Sequence, residues 1–157
     1  MRQQRGFTLI EIAMSVFILL LILLLAVPSL KGVLADRRAR RSLNDLNNLV
    51  RQAQEHSVIE RRPYLLVWTS KSIVLRPEAF ARGEEKAPVA TMSIQRGESF
   101  AIKFLAALQK DPPPEWIFWP SGTCEPVSIS FQGGSGSWTA DYSALTARPS
   151  LSTYVAK

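Results

Sequence analysis

The chain has 157 residues, enough for one domain, and setting aside a membrane helix leaves about 100–120 residues for a body with one modest core. Its 46% hydrophobic content is ordinary, while 19 Lys and Arg against 13 Asp and Glu give a net charge of +6, which suits a solvated basic helix or an acidic partner. A single cysteine, Cys124, excludes an intrachain disulfide, and with a single histidine, His56, no local spacing assembles a zinc site or a Cys–His nucleophile, so no catalytic residue, metal or cofactor is expected.

The first element in chain order is an apolar block over 7–27, FTLIEIAMSVFILLLILLLAV. As a helix it measures about 30 Å, the thickness of a bilayer core. A secretory signal would have a shorter apolar region ending near a small-residue cut site. The best such site, Val33-Leu34-Ala35, lies well beyond the block.

Glu11 breaks the apolar pattern, and an ionised carboxylate at the centre of a bilayer costs about 2.5–3.5 kcal/mol. Near one end of the block it reads either as an interfacial acid or as a carboxylate awaiting a cation. A cut just before Phe7 would create such a cation, an α-ammonium four residues away.

The motif Arg5-Gly6-Phe7-Thr8-Leu9-Ile10-Glu11, a short basic leader running into the apolar block, resembles the cleavage and methylation signature of type IV pilins and pseudopilins. The resemblance implies a membrane peptidase that cuts after Gly6 and N-methylates Phe7. It also implies that Glu11 neutralises the terminal ammonium of a neighbouring subunit and sets register during assembly. Pro28 matches the proline that ends the membrane part of the family's long helix; read alone, it is a kink.

Lys31, Arg37, Arg38, Arg40 and Arg41 follow the block, whereas Arg2 and Arg5 precede it. The charge rule read literally puts the C-terminus in the cytoplasm. The family places its body outside, and the expectation follows the family: a single pass in the bacterial inner membrane with a periplasmic body.

Leu43, Leu46, Leu49 or Val50, and Ala53 recur at helical spacing, which predicts an amphipathic helix continuing across Gly32 and ending before Pro63. Arg37 to Arg41 crowd its middle, facing solvent, lipid phosphates or acidic neighbours. The pattern then changes to short strands at 64–68, 72–75, 89–94, 100–105, 116–119, 127–131 and 138–142. Five to seven strands are expected, with a hairpin at Thr69-Ser70-Lys71 and loops at Pro112-Pro113-Pro114 and Gly133-Gly134-Ser135-Gly136. Glu84 and Glu85, beside Gly83 and Lys86, read as a solvated turn. Trp116, Phe118, Trp119, Phe131 and Trp138 read as core and sheet surface.

The expected fold is α+β: a long N-terminal helix packed on an antiparallel body of one sheet or two. Its parts are a leader at 1–6, a membrane half-helix at 7–28, an amphipathic half at 29–62 and a β-rich body at 63–157. The stretch from Trp116 to Phe131 resembles the strand, Pro-x-Gly turn and strand of H-type minor pseudopilins of type II secretion; read alone, it is a β-hairpin. The resemblance implies a minor pseudopilin without enzymatic activity that supports protein export. Its partners would be other pseudopilins or pilins, the prepilin peptidase, the inner-membrane assembly platform and membrane lipid, with nucleic acid the less favoured partner. The alternatives are a minor type IV pilin in pilus assembly or DNA uptake, and a membrane-anchored periplasmic binding protein or enzyme.

Overall fold

The computed structural model describes residues 8–106, 114–134 and 136–156, with the side chains of 24–35 and 156 set aside. It comprises two compact units, residues 1–34 and 35–157. One helix, α1 (Leu9–Ile59), contributes to both and is continuous through Pro28 and Gly32.

In the first unit α1 opens on Thr8, whose carbonyl accepts from the Glu11 and Ile12 amides. The large apolar side chains described here, from Leu9 to Leu23, are all exposed. Those fifteen positions make about 22 Å of helix, and among the described residues no helix is long and apolar enough to cross a membrane. The block expected to span, 7–28, begins and ends outside the described side chains.

The second unit contains the rest of α1 and eight strands: β1 (Tyr64–Trp68), β2 (Ser72–Pro77), β3 (Ala90–Ser93), β4 (Ser99–Phe104), β5 (Glu115–Phe118), β6 (Val127–Gly133), β7 (Gly136–Tyr142) and β8 (Pro149–Ala156). They form two antiparallel sheets in the orders β3-β2-β1-β5 and β4-β6-β7-β8. The expected α+β architecture is thus present in its two-sheet form. Thr69 closes the β1–β2 hairpin, where its amide and hydroxyl both donate to the Ser72 carbonyl at 2.9 and 2.8 Å.

Strand periodicity of two explains which residues enter the core. Ile73, Leu75 and Pro77 face inward on β2, as do Val127, Ile129 and Phe131 on β6 and Trp138, Ala140 and Tyr142 on β7. On α1 the buried positions Ala39, Ser42, Leu46, Leu49, Val50, Ala53 and Ser57 follow helical spacing, with Leu43 half-buried. Leu49 and Val50 are both buried, so the stripe is wider than the alternative between them implied.

One core joins the helix to both sheets, with an aromatic layer at its centre. Trp116 of β5 meets Tyr142 of β7 at 5.1 Å between ring centroids, and Phe131 stacks on Trp138 at 5.5 Å. Each such pair adds about 0.5–1.5 kcal/mol beyond area burial, which itself gives about 1.5–3 kcal/mol for a large apolar side chain. Exposed pairs such as Arg51–Glu55, at 3.8 Å, contribute about 0.2–1 kcal/mol. The aromatic layer therefore contributes more to the stability of the body than such surface pairs do.

β5 and β6 do not form the hairpin that their sequence suggests. β5 pairs with β1 in one sheet, and β6 pairs with β4 and β7 in the other. The segment between them crosses from sheet to sheet, retaining only an isolated bridge between Phe118 and Cys124. β8 has no counterpart among the strands that the sequence predicts.

Candidate functional site

Gly6 and Phe7, the expected cleavage and methylation positions, lie outside the described residues. Glu11 lies in the first turn of α1, where a negative charge is favoured by the helix dipole, and its side chain is exposed. Ser15 Oγ donates to the Glu11 backbone carbonyl at 2.7 Å. Among the described residues no cation pairs with that carboxylate. Pro28 lies within α1, and its side chain is outside the described set.

The body half of α1 carries the arginine cluster and the residues that tie it to the sheets. Ala39 is fully buried, so the arginines around it point away from the core. Arg40 pairs with Asp36 at 2.8 Å and lies over the Tyr154 ring at 5.4 Å. Tyr154 of β8 in turn donates its hydroxyl to the Asp36 carboxylate at 2.6 Å. That hydrogen bond, followed by the one from Arg40, holds the Asp36 carboxyl below its ordinary range.

Trp138 Nε1 donates to Ser42 Oγ at 3.0 Å, and Tyr142 donates to Asn47 Oδ1 at 2.7 Å. Three neighbouring turns of the helix are thus bonded to β7 and β8. Sequence reading gave the apolar half of this contact but none of its polar pairs, whose members are about 100 positions apart.

At the other end of α1, Arg62 binds Glu84 through both terminal nitrogens at 2.7 Å each, a bidentate pair. Glu84 also accepts the Ala81 amide at 2.7 Å. The guanidinium first, and that amide second, lower the Glu84 carboxyl to about 2. Glu84 therefore lies in the turn its neighbours suggested and in addition clasps that loop to the chain just past the helix end. Its partner lies 22 positions upstream, beyond any local pattern.

The segment from Trp119 to Glu125 is also fixed in place. Gln54 Nε2 donates to the Gly122 carbonyl at 2.7 Å, and Trp116 Nε1 donates to the Glu125 carbonyl at 2.8 Å. Gly122 has φ +82°, and a Cβ there would lie 3.3 Å from Val58 Cγ2. Glycine is needed at this turn for both its handedness and its size. Cys124 is buried, its Sγ 3.5 Å from the Ser143 carbonyl, and burial raises its thiol to about 11. A thiol so protonated is inert as a nucleophile near neutral pH. His56 stands beside Glu60 at 2.8 Å on the helix surface. Among the described residues no group of three or more His, Cys, Asp or Glu could hold a metal ion.

The described residues comprise an apolar helix segment bearing one acidic side chain and a body whose sheets are bonded to the same helix. The pattern described as the prokaryotic N-terminal methylation motif matches residues 1–27. No curated protein matches the chain. Among solved structures, the minor pseudopilin EpsH from the type 2 secretion system of Vibrio cholerae aligns with a TM-score of 0.50 at 10% identity, over 75% of this chain and 96% of that one. The type IV minor pilin FimU of Pseudomonas aeruginosa strain PAO1 aligns in two crystal forms at 15% identity. The TM-scores are 0.53 and 0.55, over 74% and 76% of this chain and 96% and 94% of the other.

The fold and the N-terminal motif define a class. The chain carries the N-terminal methylation motif of type IV pilin-like proteins, and its body has the α+β fold seen in a minor pseudopilin and a minor pilin.

Proposed function

We propose that the chain is a minor pilin-like subunit, made as a precursor and cut after Gly6. Residues 7–28 then anchor it in the inner membrane, with the body in the periplasm, and Phe7 is methylated. Glu11 meets the terminal ammonium of a neighbouring subunit, which removes two unpaired charges from an apolar environment. Its role is structural, exercised through assembly with other pilin-like subunits and with the prepilin peptidase and the assembly platform as partners.

The carrying observation is the methylation motif over 1–27, standing directly ahead of a body with a pilin-type fold. Mass analysis of the mature N-terminus from membranes tests the reading. A chain beginning with N-methylated Phe7 is expected, and an intact leader or a start at Asp36 would overturn it.

Within the class, the stretch from Trp116 to Phe131 supports a pseudopilus of type II secretion as the assembly. The fold shared with the minor pilin FimU as well as with EpsH keeps a type IV pilus as the second reading. Deleting the gene separates the two: loss of protein export with pili intact fits the first, and loss of pili with export intact fits the second.

A further inference from the structure

One groove of about 490 Å³ in the body is lined by three arginines from two distant segments. Arg38 and Arg41 come from α1, and Arg96 comes from the turn between β3 and β4. Arg40, Arg51, Arg62 and Arg76 each have a carboxylate partner. Among the described residues, no carboxylate lies within ion-pair distance of Arg38, Arg41 or Arg96.

Two carboxylates, Asp45 and Glu98, line the same groove. Glu98 accepts the Gln95 amide at 3.2 Å, which fixes the turn carrying Arg96. Gly97 completes that turn with φ +85°. The groove therefore offers guanidinium donors for a phosphate and carboxylate acceptors for an ammonium.

This mixture of signs selects among anionic ligands. A nucleic-acid backbone would bring further phosphates against Asp45 and Glu98, at a repulsive cost. A single phosphate flanked by a primary ammonium matches both sets of groups.

We propose that this groove binds the phosphoethanolamine headgroup of membrane lipid, with phosphate held by Arg38, Arg41 and Arg96 and ammonium by Asp45 and Glu98. The proposal rests on the membrane-anchored reading above and names a ligand for that subunit's body.

The test titrates the full chain, in a neutral phosphate-free detergent, with glycerophosphoethanolamine, glycerophosphoglycerol, glycerophosphocholine, inorganic phosphate and a short DNA duplex, using calorimetry. Saturable binding of glycerophosphoethanolamine is expected, at least threefold tighter than each other probe. Arg96→Gln should weaken it about tenfold with unchanged thermal unfolding, while Arg82→Gln leaves it alone. Asp45→Asn should remove the preference over glycerophosphoglycerol. The proposal is overturned by absent saturation, equal affinities for the probes, tighter DNA binding, or indifference to Arg96→Gln. Mass analysis of the same preparation separates the two readings: a methylated Phe7 with no headgroup binding sinks the groove alone, whereas a retained leader sinks the anchored subunit.

Discussion

The indole N–H of Trp138 reaches Ser42 on α1 across 96 positions of sequence, and both groups are buried. Ser42 also donates to the Ala39 carbonyl at 2.8 Å, so its hydroxyl is satisfied on both sides. Ser42→Ala leaves a buried donor without a partner, a loss of about 1–3 kcal/mol. Ser130→Ala removes a half-buried hydroxyl pair with Thr139 and should change stability by less than about 0.5 kcal/mol. Urea denaturation of both variants makes the comparison, and equal effects would contradict the assigned role of Ser42.

Gly122→Ala should destabilise more than Gly97→Ala. Both glycines have positive φ, which costs an alanine about 1–2 kcal/mol. Only Gly122 also faces a side chain, Val58, at 3.3 Å, whereas nothing lies within 4 Å of a Cβ at Gly97. Combining Gly122→Ala with Val58→Ala relieves the contact and should recover part of the difference in a thermal melt.

The clasp between Arg62 and Glu84 gives a pH signature. The Glu84 carboxyl is ordinary, near 4.5, in the unfolded chain and about 2 in the folded one. A carboxyl depressed by folding stabilises above its unfolded value, and the contribution disappears as pH falls towards 2. Glu84→Gln should therefore lower the denaturation midpoint at pH 6 and converge with the parent as pH drops from 4.5 to 2. A difference that persists unchanged at pH 2 would show that the clasp is not ionic.

Glu11→Ala should abolish assembly without preventing cleavage after Gly6. An unpaired buried ammonium costs about 3–5 kcal/mol, enough to exclude a subunit from an apolar bundle. N-terminal mass and sedimentation of filaments from the same cells report the two steps separately. A Glu11→Ala chain that remains fully functional would favour the membrane-anchored binding protein or enzyme.

A fragment spanning 29–157 is expected to fold without the preceding apolar block. The helix stripe, both sheets and the aromatic layer all lie within the second compact unit. Near-ultraviolet circular dichroism should show ordered tryptophans, and aggregation of this fragment would mean that its apolar face needs the missing segment.

Most elements of the fold were legible in the sequence because each is written in a local period. Apolar spacing placed the helix, and alternation placed seven of the eight strands to within a few residues. β8 escaped because its Pro-Ser-Leu-Ser start resembles a tail. Its signal was the β-forming run Thr153-Tyr154-Val155, and what secures it is Tyr154 meeting Asp36 across 118 positions. The β5–β6 error has a related cause, since alternation marks a strand without naming its partner. At the N-terminal end residue order carried the methylation motif over 1–27, and the roles of Gly6, Phe7 and Glu11 are the proposal made above. The clasp at Glu84 was not legible, because a local glycine and lysine concealed a distant arginine.

The bonds from Asp36, Ser42 and Asn47 to β8 and β7 are staggered over eleven residues of helix, about 16 Å. A tension applied along the helix axis therefore strains these cross-links in parallel, as shear, and none can yield first without shifting load to the others. Pulling on the helix therefore loads the body through three cross-links at once.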